Sequence, residues 1–325
     1  MTRRLAPAVV LAATLGLAAA PRAAAQATGT TAGAVAAIPA TTRALGLGGA
    51  YTAVIGDVGS IFVNPAGLAP VRTVALGMSY ERYLLGSTLV SGGVAFGAGR
   101  FVLGVGASLL DFGQDTVYRP DPAFGGDRGL PDPAGAMAGA YSALAVGSVA
   151  YRLGMLALGV NAKYLAEHVS VPDTALYDAS GLGFDAGVAL AFFDIAALGV
   201  VVQNLGADLR TNTHTAAPLP RTVRAGLSLN IVDPQGVPRL MVAGDFVSPR
   251  GTGGYWAFGV EGGVVAEGVG LLGRAGIATG RAPSDRRSLT FGGTLVFHRL
   301  QLDYGYEGFT SLGGGTSRFG VRWSP

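Results

Sequence analysis

The chain of 325 residues contains no cysteine, which excludes disulfide staples, thiolate metal sites and cysteine nucleophiles. Charge is scarce as well. Asp, Glu, Lys and Arg supply 13% of the residues, about half of the ~25% usual in a soluble domain. Lysine is almost missing, with Lys163 its only representative, an arginine bias from which no function is read. Aromatics stay at 8%. Beyond the first 25 residues, long apolar runs are absent apart from Ala186 to Val202, where Asp194 is the only charge. A spanning helix needs ~18 apolar residues, and the flanks of this run alternate and contain Gly187 and Gly199, so it reads as two strands joined by a tight turn at Phe193-Asp194. What the chain does have is glycine, 53 residues of it. Little charge, much glycine and short apolar stretches point to a β protein whose outer surface need not meet water.

The beginning of the chain reads as a secretory signal over residues 1–25. Arg3 and Arg4 precede an apolar run from Leu5 to Ala20, and the small residues Ala23-Ala24-Ala25 stand before Gln26. Cleavage there removes Arg3, Arg4 and Arg22 and takes the formal charge from +3 to zero. A neutral mature chain lacks the clustered cations that nucleic acid requires. Residues 26–71 form a small, glycine-rich lead that closes on the turn-forming Asn64-Pro65.

From residue 72 to 325 the texture is uniform: segments of 9–14 residues with one apolar face and one polar or tiny face. Side chains of a strand alternate between faces, and Val223, Ala225, Leu227, Leu229 and Ile231 against Arg224, Gly226, Ser228 and Asn230 show the pattern clearly. Fourteen such segments are read, at 73–83, 88–97, 100–111, 139–151, 155–167, 180–192, 195–204, 221–232, 239–248, 255–265, 269–280, 288–297, 300–309 and 315–324. Each fits or slightly exceeds the ~9–11 tilted residues that cross a bilayer. Connections after the even segments are short, whereas those after the odd ones are longer, up to 112–138; only the first, near Leu84–Ser87, breaks the rule. Short inner turns and long outer loops are the asymmetry of an outer-membrane barrel. A soluble sandwich alternates too, but its outer faces need more charge than this chain carries. The predicted fold is an all-β transmembrane antiparallel barrel of about fourteen strands in the bacterial outer membrane, with membrane lipid as its surroundings.

If the apolar faces meet lipid, then Arg224, Asp245, Glu261, Arg274, Asp303, Glu307, Arg318 and Arg322 point into the lumen, because arginine at the bilayer midplane costs ~2–4 kcal/mol. Four acids against four arginines make a balanced lumen, suited to a paired network; an ion-selective pore carries an excess of one sign. No catalytic or metal constellation is expected, and no cofactor. His168, His214 and His298 fall in or beside three different connections without paired-ligand spacing. Glu167, His168, Ser170, Asp208 and His214 share the outer rim, where polar residues often gather by chance. Asp115, Asp121, Asp127 and Asp132 in the proline-rich loop from Phe112 to Ala138 lack the spacing of a calcium loop. The GLGG run fails as a phosphate cradle, since Tyr51 occupies the place of its last glycine and no lysine follows.

The stretch ALGLGGAYTAVIGDVGSIFVNPAGLA resembles the N-terminal signature of the PorV/PorQ family and, more distantly, that of the FadL-type hydrocarbon transporters. Arg43, Gly46, Gly48, Gly49 and Tyr51, then Asp57, then Asn64, Pro65 and Gly67 carry it. LPRTVRAGLSL (Leu219 to Leu229), YWAFGVEGG, GRAGIATG and LDYGYEGF extend it over nearly the whole mature chain. The resemblance implies a fourteen-stranded barrel with residues 41–71 folded inside as a hatch. It also implies one of two non-enzymatic roles. One is an accessory barrel docking secreted cargo beside a secretion translocon, as PorV-like proteins do. The other is passage of a hydrophobic small molecule, as in the FadL type. Loops poor in aromatics apart from Tyr118, Phe124 and Phe309 favour the first.

Overall fold

The computed structural model describes residues 31–124, 129–133, 135–171, 174–213, 217–280, 286–309 and 314–324; the expected signal segment, Asp127 and His214 lie outside the described residues. The strands are β1 (Val74–Arg82), β2 (Thr88–Ala98), β3 (Phe101–Thr116), β4 (Tyr118–Pro120), β5 (Gly129–Pro131), β6 (Met137–Leu153), β7 (Leu156–Val171), β8 (Thr174–Phe192), β9 (Ala196–Leu205), β10 (Arg210–Thr211), β11 (Thr222–Asn230), β12 (Pro238–Pro249), β13 (Tyr255–Ala266), β14 (Val269–Thr279), β15 (Arg286–Phe297), β16 (Leu300–Phe309) and β17 (Gly315–Trp323). Fifteen of them share one sheet. Setting aside β10, a two-residue addition to the edge of β8, the remaining fourteen close on themselves. β1 pairs with β17 and β8 with β9, and every neighbouring pair is antiparallel. Closure leaves no unpaired edge, which is what permits a sheet to stand in hydrocarbon.

The two faces differ as the alternation requires. On β3, Phe101, Leu103, Val105 and Leu109 are exposed on the outside, while Val102, Ser108 and Leu110 are buried inside. Val105 keeps 64% of its surface open, and large apolar residues repeat this around the wall: Met78, Phe96, Val160, Leu182, Phe258, Leu271 and Phe319. Such a continuous apolar exterior is stable only against lipid.

One rim is tight. Glu267 and Gly268, with φ of 51° and 80°, make a two-residue hairpin of the twist-matched kind in which both central residues take positive φ. Phe193 (φ 53°) turns β8 into β9, and His298 (φ 55°) turns β15 into β16. At the other rim β3, β6, β7 and β8, of 16, 17, 16 and 19 residues, run beyond their neighbours. This corrects the sequence reading, which ends β3 at 111 and starts β6 at 139, and which places a connection from 168 to 179. Beyond the bilayer both faces of a strand meet water, so the alternation that marks a strand disappears while the hydrogen-bonded ladder continues. The proline-rich segment accordingly holds wall and a small β4–β5 hairpin, Tyr118 opposite Pro131.

Residues 31–71 lie inside the ring. Thr41 Oγ1 accepts from Ala44 N at 3.2 Å and starts a helical turn at Thr42–Gly46. A second turn spans Ser60–Val63, and Asn64 begins a third at Pro65–Leu68, with Oδ1 accepting from Ala66 N at 3.2 Å and Pro65 at the first helical position. The wall makes room for these turns with inward glycines. A Cβ on Gly276 would stand 2.1 Å from Gly48 N, one on Gly159 2.2 Å from Ala66 N, and one on Gly199 2.4 Å from Thr52 O. Glycines face each other across strands at these places: Gly159 with Gly187, Gly199 with Gly226, Gly259 with Gly276.

Candidate functional site

The site is the seat of this internal segment against the wall. Its centre is an alternating ring of six charges. Arg43 donates to Asp57 at 3.1 Å and to Glu261 at 2.7 Å. Arg274 pairs with the same Glu261 and, at 3.1 Å, with Asp303. Arg322 closes the circle between Asp303 at 2.5 Å and Asp57 at 2.6 Å. Each cation thus touches two anions and each anion two cations. Arg43 and Asp57 belong to the internal segment, and the other four rise from β13, β14, β16 and β17, so the ring stitches segment to wall.

Its electrostatics follow from burial. Burial alone would raise the Asp57 carboxyl, but Arg322 and Arg43 outweigh it and hold Asp57 well below the usual carboxylate range. Burial likewise opposes the charge on Arg43, and Glu261, Tyr51 and Asp57 together more than restore it. Tyr51 moves the other way: burial, then the neighbouring Asp57, pushes its hydroxyl well above the ordinary value and keeps it neutral.

A second anchor is Asp245 on β12. Its carboxylate accepts from Tyr51 N at 3.0 Å, Thr52 N at 3.0 Å, Thr52 Oγ1 at 2.5 Å and Arg224 at 2.8 Å. Arg224 also donates to Gly49 O at 2.5 Å. Asn64 supplies a third anchor, donating to Thr52 O at 2.9 Å and to Val188 O of β8 at 3.3 Å. The carbonyls left free at the end of the Ser60–Val63 turn are met by wall amides: Asn161 donates to Ile61 O at 2.9 Å and Gln203 to Val63 O at 2.9 Å. Behind them Lys163 is buried, 2.8 Å from Asp185 and 3.0 Å from Asn204 Oδ1.

The residues singled out in the sequence therefore fall into separate groups. Arg274, Glu261, Asp303 and Arg322 join Arg43 and Asp57 in the ring, Arg224 and Asp245 hold Tyr51 and Thr52, and Arg318 pairs with Glu81 and donates to Pro39 O. Glu307 is buried facing the lumen. Gly46 rests on Gly292 and Arg274, Gly48 and Gly49 turn the chain with φ of 66° and 85°, and Gly67 packs on Ser60. Sequence reading passed over Glu81, Asn161, Asp185, Gln203 and Asn204 and drew nothing from Lys163. Glu81 and Asp185 carried a usable signal, a charge on the inward parity of a strand. The amides carried none.

The outer-rim candidates do not assemble. Glu167 and His168 are adjacent on β7 and so point to opposite sides of the wall. Glu167 turns inward, accepting from Gly33 N at 2.8 Å and Ala34 N at 3.0 Å. His168 turns outward, pairs with Asp178 and stacks on Tyr141. His168 thus stands within a strand and not in a connection. Among the described residues neither Ser170 nor Asp208 bonds to it, and no group of three or more His, Asp or Glu is arranged to hold a metal ion. Phe309, read as a loop aromatic, is 1% exposed and packs edge-on against Tyr83 with ring centroids 6.0 Å apart.

Toward the long-strand rim one part of the lumen is apolar, beside the Arg318–Glu81 pair and Glu167. Leu89, Leu110, Leu144 and Leu165, on the inner faces of β2, β3, β6 and β7, form one buried cluster with Val35, Leu209 and Leu219. The turn Ala34–Ala37 lies on them, tied by Ala32 N to Pro218 O at 3.0 Å and by Glu167. Porin lumens are polar; this one sets a greasy cluster among its buried ion pairs.

No family model and no curated protein matches the sequence. Solved structures do match in shape. The Ralstonia pickettii toluene transporter TbuX superposes with a TM-score of 0.59 at 12% identity, covering 89% of this chain and 99% of its own. The CymD monoaromatic hydrocarbon channel gives 0.57 at 14%, covering 88% and 97%. A Pseudomonas aeruginosa FadL homologue gives 0.53 at 13%, covering 87% and 98%. At such identities the likeness speaks for architecture: the chain has the fourteen-stranded barrel fold of the FadL-type proteins.

Proposed function

We propose that the protein is an outer-membrane barrel that passes a small hydrophobic molecule, with residues 41–71 acting as a hatch whose seat is the charged ring. The observation that carries this reading is the inward apolar cluster of Leu89, Leu110, Leu144 and Leu165, packed under the Ala34–Ala37 turn on the outer side of the seat. A solute that partitions there leaves water for hydrocarbon-like surroundings at ~25 cal/mol per Å² of apolar area, whereas an ion or sugar gains nothing. The described relatives in shape are named as toluene and monoaromatic hydrocarbon proteins, which agrees with that chemistry. The docking role implied by the PorV/PorQ resemblance draws support only from the projecting ends of β3, β6, β7 and β8, which offer a partner surface on the outer side.

The test is uptake by outer-membrane vesicles carrying the protein, comparing a labelled aromatic hydrocarbon with a sugar of similar mass. Faster entry of the hydrocarbon alone, slowed by Leu110→Glu, supports passage. Equal rates with and without the protein sink it, and a co-purified secreted protein in that case points to docking.

A further inference from the structure

Below the seat, at the tight-turn rim, lies a partly open cavity of about 210 Å³ between Arg43 and Asp57 above and the β11–β12 turn beneath. The three ring arginines that border the lumen here are matched by Asp57, Glu261 and Asp303, three against three. Arg239, at the start of β12, lines the same cavity as a fourth guanidinium. Among the described residues it has no carboxylate partner, and its Nε is buried without any hydrogen-bond acceptor. Gln301 borders the same space.

A buried donor on a cation left unsatisfied is costly, and where one persists an ion or water commonly completes it. Water can fill the volume, but it cannot balance the surplus charge. The guanidinium fork matches a planar or tetrahedral oxyanion through two parallel hydrogen bonds, and a point-like halide uses that geometry poorly. We propose that this cavity is a binding site for a small monovalent oxyanion, a carboxylate or a phosphate, seated on Arg239. The site lies on the far side of the ring from the apolar cluster and does not depend on the transport reading.

The experiment is calorimetric titration of the detergent-solubilised full chain with sodium benzoate and, separately, inorganic phosphate, at constant chloride. Saturable binding of at least one, weakened tenfold or more in R239Q, is expected; benzoate alone indicates a carboxylate ligand, phosphate alone a phosphate. A variant barrel is accepted as folded when it shows the heat-dependent shift on gel electrophoresis. A second readout uses the wild type: the arginine Nε–H resonance that vanishes in R239K is the one that either anion shifts. Absence of saturable binding for both anions, undiminished binding in R239Q, or a shift confined to other arginines overturns the proposal.

Discussion

Asp57→Asn isolates the charge of the ring while keeping the shape. The amide retains an oxygen for Gly59 N, which Asp57 Oδ1 accepts at 2.8 Å, and removes one negative charge shared by Arg43 and Arg322. Breaking a buried pair by removing one partner costs ~3–5 kcal/mol. Here the loss falls toward the lower end or just below, ~2–3 kcal/mol, because Arg43 keeps Glu261 at 2.7 Å and Arg322 keeps Asp303 at 2.5 Å. The pH dependence has a definite sign. The folded-state Asp57 carboxyl lies below its ordinary value of 3.8, so its contribution is present above that value and fades only as pH falls from there through the depressed one. On the proposed reading, the hatch therefore stays latched through mildly acidic media. D57N behaves at neutral pH as the wild type does only in strong acid. The assay is twofold: small-solute leakage from reconstituted vesicles, and the temperature at which the barrel loses its fast-migrating form on gels. D57N is expected to leak more at pH 7 and to show a smaller further rise in leakage than the wild type as pH falls below the ordinary carboxylate range. Leakage and midpoint equal to the wild type refute a latching role for the ring.

Three further outcomes test other parts of the structure. Gly276→Ala puts a Cβ 2.1 Å from Gly48 N and 2.3 Å from Leu47 C, both backbone atoms, so segment and wall must part, at ~1–3 kcal/mol; increased vesicle leakage is expected, and unchanged leakage contradicts the close seating. Asn64→Ala strips the donors from Thr52 O and Val188 O, leaving buried carbonyls at ~1–3 kcal/mol, and its leakage should rise as well; unaltered permeability counts against the hatch. Val105→Arg places a cation on the outer face mid-strand and should lower folding stability in lipid by ~2–4 kcal/mol, measured by urea titration in vesicles; an unaffected midpoint means that face does not meet hydrocarbon.

Much of the wall was legible in the sequence because the constraint that makes a barrel strand is local. A bilayer on one side and a packed lumen on the other impose a period of two, and Leu300, Leu302 and Tyr304 against Gln301 and Asp303 display it without any knowledge of neighbours. Where water replaces lipid, the constraint lapses, and so did the reading: β3 continues to Thr116 and β8 begins at Thr174. The resemblance of the N-terminal stretch named residues worth watching, yet gave Arg43 no partner.

By itself the sequence determined the class of fold, the side of the wall on which Arg224, Asp245, Glu261, Arg274, Asp303 and Arg322 stand, and the even number of crossings. Only the tertiary structure decided which of these charges meet. Arg43 and Glu261 are 218 positions apart and Asp57 and Arg322 are 265 apart, and their contact depends on closure of the ring and on a segment threaded through it. The same holds for Gly276 against Gly48 and for Arg239, which has no acid beside it among the described residues because of its three-dimensional neighbourhood. Alternation fixes a direction for each side chain, but partners separated by such lengths of chain are set by the register of fourteen strands acting together.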